Sequence, residues 1–89
     1  WHDKEAKLIW DMQRSTKIPP QLQQIIRRKL VMIDAAVSIN DLRIPPSNHL
    51  EKLSGDRDGQ YSIRINNAWR ICFKWNDGNV DILDIVDYH

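Results

Sequence analysis

From Gln60 onward the chain alternates apolar and polar residues with a period of two, whereas before Ala36 apolar residues return every three or four positions. The two periods assign strands to the second half of the chain and helices to the first. In QYSIRI, Tyr61, Ile63 and Ile65 share one side, with Ser62 and Arg64 on the other. In WRICFKW, Trp69, Ile71, Phe73 and Trp75 make the apolar side, with Arg70, Cys72 and Lys74 opposite. Matching the apolar sides requires Ile65 across from Trp69 and Arg64 across from Arg70, hence the odd-length connection Asn66-Asn67-Ala68. Asp77-Gly78 is a hairpin signal that sets Trp75 against Val80, Phe73 against Ile82 and Trp69 against Val86, in a third strand from Asn79 to Asp87. On this register Leu83, Ile85, Asp87 and His89 fall on the side of Arg64 and Arg70. Asp84 falls among the apolar residues, a misfit that the pattern leaves unexplained.

Asp3 to about Gln13 favours helix, with Leu8, Ile9 and Met12 as its apolar stripe. Pro19-Pro20 opens a second helix, because proline is tolerated in a first turn; Leu22, Ile25, Ile26, Leu30 and Ile33 follow at helical spacing to about Ala36. The stretch SINDLRIPPSNHLEKL then reads as turns leading to the loop GDRDG. The expected fold is α+β: two N-terminal helices packed on a C-terminal antiparallel β-meander, in one domain over residues 1–89.

Composition narrows the function. With 42% hydrophobic and 28% charged residues and no apolar run near the ~18 of a membrane span, a soluble chain is expected. A lone Cys72 and no signal-peptide pattern point to a reducing cytoplasm. The net charge is only +1. Residues 1–43 hold eight Lys/Arg against five Asp/Glu, and residues 44–89 five against seven, so +3 and −2 make up that total. Any polyanion site must be a local cluster. Arg27, Arg28 and Lys29 on the second helix fit either a solvated face or a phosphate patch. No zinc spacing, glycine-rich phosphate loop or nucleophile elbow is present, so no metal or cofactor is expected. Cys72, in mid-strand, reads as a half-buried structural thiol.

Like charges opposed on a sheet are unfavourable, so Arg64 beside Arg70 requires compensation. A carboxylate such as Asp87 would supply it, and so would a bound phosphate held by the two guanidinium forks. The terminal DIVDYH adds Asp87, Tyr88 and His89 at the end of the third strand. A base for a ribose 2′-hydroxyl, an acid for the departing 5′-oxygen and cations for the phosphorane charge are what metal-free RNA cleavage needs. Should His89 end the protein, its own carboxylate would favour the imidazolium and a general-acid role.

The stretch DLRIPPSNHLEKLSGDRDGQYSIRINNAWRICFKW, with the closing DIVDYH, closely resembles the HigB-type toxins of the RelE superfamily, the plasmid-maintenance killer proteins of type II toxin–antitoxin pairs. The resemblance covers Asp41 to His89, and the two preceding helices in pattern. It implies a small microbial-RNase-type fold that inhibits translation by cutting mRNA in the ribosomal A site without a metal. It also implies neutralisation by a HigA-type helix-turn-helix antitoxin, with operator DNA met only through the antitoxin complex. On matching positions Arg64 and Arg70 would hold the scissile phosphate, Asp87 and Tyr88 would orient substrate or acid, and His89 would transfer a proton. His49, Lys52, Arg57 and Lys74 are further substrate-binding candidates. Such proteins usually open with a strand before the first helix. This chain starts at Trp1 inside helical sequence, so that strand is expected upstream, and without it the sheet keeps an open edge. Where some relatives carry a histidine and a lysine before the Gly-Asp-Arg loop, Glu51 and Ser54 stand here, with His49 and Lys52 out of phase, which leaves the general base open. The competing reading is a catalytically weak relative that binds antitoxin and tunes its operon. A general RNA-binding module fits poorly, since no aromatics alternate with the basic residues of the polar face.

Overall fold

A computed structural model describes residues 3–53, 55, 59–76 and 78–87. Of the positions singled out above, Trp1, Ser54, Arg57, Asp77, Tyr88 and His89 lie outside the described residues.

Helix α1 spans Lys4–Trp10, opened by Asp3, whose Oδ1 accepts from the Glu5 amide at 2.8 Å and the Ala6 amide at 3.1 Å. It ends earlier than the Gln13 its residues suggested. The Met12 amide donates to the Ile9 carbonyl and the Gln13 amide to the Leu8 carbonyl, a Schellman closure in which Met12 takes the left-handed position at φ 63°. Met12 therefore leaves the apolar stripe and is 77% exposed, while Ala6 and Ile9 are the buried pair. Helix α2 spans Pro20–Ala35, with proline in its first turn and Leu22, Ile26, Leu30 and Ile33 buried at helical spacing; Ile25 is half-buried. No helix among the described residues is long and apolar enough to cross a membrane.

Two 3-10 turns, Ile39–Arg43 and Pro46–Asn48, organise the segment expected as irregular. Ser38 and Asp41 form a capping box at the first. Buried Asn48 ties them together, its Nδ2 donating to the carbonyls of Leu42 at 3.1 Å and Ile44 at 3.4 Å.

The sheet is antiparallel in the order β1 (Glu51–Lys52), β2 (Gln60–Arg64), β3 (Trp69–Asn76), β4 (Asn79–Asp87). Strand β1 was not expected, because two residues are too few to show a period. Across β2 and β3 the register is the expected one: Arg64 opposes Arg70 and Tyr61 opposes Phe73, and the Ile65 amide donates to the Trp69 carbonyl at 2.8 Å. Across β3 and β4 it begins as expected, with Trp75 against Val80 and Phe73 against Ile82. A β-bulge then intervenes. Cys72 pairs with Asp84, so Leu83 is the extra residue, and Ile71 pairs with Ile85, Arg70 with Val86 and Trp69 with Asp87.

The bulge corrects the second half of the strand by one residue. Ile85, not Asp84, continues the helix-facing side, and Asp84 joins Glu51, Ser62 and Cys72 on the side of the arginines. Val86 and Asp87 exchange their expected sides as well. The core on the helix-facing side unites Ala6, Ile9, Leu22, Ile26, Leu30 and Ile33 with Ile63, Ile71, Phe73 and Ile82, and Trp69 and Trp75 pack at its margin as expected. Asp3 links this layer to the bulged half of β4: its Oδ2 accepts from the Ile85 amide at 3.0 Å.

Candidate active site

The two arginines that oppose one another across β2 and β3 have unequal surroundings. Arg70 is nearly enclosed, its side chain 12% exposed. Its Nε donates to the Ser62 hydroxyl at 2.9 Å and its terminal nitrogen to the His49 carbonyl at 2.7 Å, with a longer bond to the Ser62 carbonyl. The Glu51 carboxylate, 61% exposed, stands 3.9 Å away. Arg70 thus anchors the segment entering β1 to the middle of the sheet, through charge-assisted bonds stronger than neutral ones.

Among the described residues, Arg64 is held by its own hairpin. Its Nε donates to the Asn66 carbonyl at 3.1 Å and its terminal nitrogen to the Asn67 side-chain oxygen. Asn66 closes that hairpin by accepting the Ala68 and Trp69 amides, each at 2.8 Å. Beside Arg64 lies a polar cavity of about 300 Å³ lined by Lys29, Ser47, Arg64, Ile65, Asn66 and Asn67. Lys29 reaches it from α2 and donates to the Asn48 Oδ1 at 2.5 Å. Desolvation, helped by the neighbouring charge of Arg28, holds the Lys29 ammonium below its ordinary range.

The fold thus gathers Arg64, Arg70, the His49 backbone and the Glu51 carboxylate. His49 is exposed with φ 43°, and contributes its carbonyl to Arg70. Lys74 shares the arginine side but lies toward the other end of β3, opposite Gln60 and Asp81. Lys52 pairs with Tyr61, on the opposite parity from the arginines. Asp87, expected beside them, pairs with Trp69 because the bulge shifts it by one. Cys72 is fully buried, more deeply than expected.

A family model for the RelE-like toxin of type II toxin-antitoxin system HigB matches residues 1–89. The chain belongs to the HigB toxin family. HigB-type toxins are RNases, so the chain is of an enzyme family. Over 86 residues it is 35% identical to a Proteus vulgaris protein named endoribonuclease HigB, covering 97% of this chain and 92% of that one. A Vibrio cholerae protein named toxin HigB-1 is 44% identical over 68 residues, 76% of this chain and 72% of its own length. Among solved structures, a chain of the YoeB-YefM complex from Staphylococcus aureus superposes with a TM-score of 0.63 at 25% identity, over 98% of this chain and 91% of that chain. Within this HigB fold, sequence reasoning missed Ser62, Asn48 and the cavity formed by Lys29, Ser47, Asn66 and Asn67. In the sequence Lys29 stands out only as part of a basic run, and its apposition to Asn48 is a tertiary contact without a local signature.

Proposed function

We propose that the protein is a ribosome-dependent endoribonuclease that cuts translated mRNA by metal-independent acid–base chemistry, acting in the cytoplasm and neutralised by a HigA-type antitoxin. The observation that carries this reading is the pair Arg64 and Arg70 on one ladder rung, one fixed by Ser62 and His49 and the other bordering a polar cavity. Arg64 binds the scissile phosphate through guanidinium donors not spent on the hairpin, and Arg70 holds the floor of the site while adding positive potential to the phosphorane. Glu51, whose carboxylate faces Arg70, takes the base role on the 2′-hydroxyl, and His89 protonates the leaving oxygen, with Asp87 and Tyr88 orienting acid or substrate. His49, Lys52, Arg57 and Lys74 contribute to mRNA or ribosomal contacts. The modest net charge of +1 suits an enzyme that relies on the ribosome to present its substrate. The YefM partner of the structural neighbour supports an antitoxin for this chain too.

A binding-only relative is the second reading, favoured by the commitment of the Arg70 fork to Ser62 and His49. The two are separated by adding the intact chain, and a chain lacking His89, to a bacterial translation extract and mapping 5′ ends on the translated mRNA. Cuts within codons that require His89 are the expected result. No cuts from either, under conditions where antitoxin binds both, would establish the binding-only protein.

A further inference from the structure

Where α1 gives way to α2, a cavity of about 370 Å³ opens that shares no residue with the Arg64 site; it is lined by Ile9, Met12, Arg14, Gln23, Gln24 and Arg27 among others. Gln23 makes it a preformed feature. Its side-chain amide donates to the carbonyls of Ser15 at 2.7 Å and Ile18 at 2.9 Å, and its oxygen accepts the Ser15 amide at 3.2 Å, fixing the connection between the helices. The wall is mainly apolar, and the Schellman closure of α1 presents the Met12 thioether at its rim, a soft group suited to protein contacts.

Two cations interrupt that apolar wall. Among the described residues neither Arg14 nor Arg27 is paired with a carboxylate. The Arg27 Nε is buried and has no hydrogen-bond partner, a cost that an incoming acceptor would remove. The half of the chain holding both residues carries the +3 excess.

We propose that this cavity docks the antitoxin through an acidic side chain set beside an apolar one, the carboxylate meeting Arg14 and Arg27 and the apolar group meeting Ile9 and Met12. The proposal rests on the toxin–antitoxin reading given above. A protein segment fits better than RNA, because a nucleic-acid track calls for a basic groove that follows the backbone with aromatic platforms for the bases, and this wall combines Ile9 and Met12 with glutamines and two cations and holds no aromatic ring.

The test titrates the full-length toxin with the antitoxin expressed from the same operon. It compares wild type, a double variant Arg14→Gln with Arg27→Met, and Gln24→Glu, whose carboxylate would repel an acidic ligand from an exposed position. Thermal melts report folding; should the double variant unfold, Gln24→Glu alone decides. The expected result is about a tenfold or greater loss of antitoxin affinity in both variants, with mRNA cleavage in a translation extract within twofold of wild type. Wild-type affinity in both variants overturns the docking site. Unchanged affinity with reduced cleavage also overturns it and assigns the cavity to RNA. If the wild type binds no antitoxin while cleaving mRNA, the toxin–antitoxin reading itself fails and takes the docking site with it.

Discussion

The two halves of the β3–β4 pair share strands and obey different constraints. Near the hairpin, Trp75 against Val80 and Phe73 against Ile82 follow from a two-residue turn, because the turn dictates register and both pairs bury on the helix side. Beyond Leu83 the same register would place the Asp84 carboxylate against the core of Ile63 and Ile71, and send Ile85 to the side of Arg70. The bulge avoids both, setting Ile85 against Ile71 and Asp84 against Cys72. One half is therefore governed by its turn, the other by what its side chains tolerate.

Ile85→Asp breaks this contrast most severely. It sets a carboxylate on the helix side across from Ile71, where the bulge places an isoleucine, so a loss of about 3 kcal/mol or more in urea unfolding is expected; wild-type stability would mean that the bulge does not turn Ile85 toward the core. Arg70→Ala, next in size, acts on the rung where Arg70 meets Val86. It strands the Ser62 hydroxyl and the His49 carbonyl, and should cost about 2–3 kcal/mol on the same measurement while loosening the entry to β1. Asp3→Ala removes both the α1 cap and the bond to the Ile85 amide, for about 1–2 kcal/mol. Asp3→Asn, which can keep the cap acceptor but not the one for the Ile85 amide, should lose less, and wild-type stability in Asp3→Asn would show that Asp3 does not stabilise β4.

The smallest effect is a pH dependence. Because burial and Arg28 lower the Lys29 pKa in the folded chain, the unfolded chain binds that proton more tightly. Stability is thus reduced at neutral pH and regained as pH rises from the folded value toward the usual 10.5. Relative to Lys29→Met, the wild type should gain stability over that alkaline interval, and parallel curves for the two proteins would contradict the assignment.

The alternation in QYSIRI and WRICFKW was enough to oppose Arg64 and Arg70, because side-chain parity and loop length together leave one register. Asp84 carried the sign of the bulge: a carboxylate on the apolar side followed by an isoleucine on the polar side is what a one-residue insertion looks like. What stayed hidden depends on contacts distant in sequence. Arg70 meeting the His49 carbonyl and Lys29 meeting Asn48 join segments that no local pattern relates, and the early stop of α1 depends on Met12 accepting a conformation usually left to glycine.

The central claim is that the arginine side of this sheet is a nuclease site rather than a structural ion cluster. Arg64→Ala tests it most directly, since among the described residues Arg64 bonds only to its own hairpin. Cleavage of translated mRNA, measured by 5′-end mapping alongside unfolding and antitoxin titrations, should fall about a hundredfold or more, while stability and antitoxin affinity stay near wild type. Cleavage within a few-fold of wild type by a folded Arg64→Ala protein would contradict it.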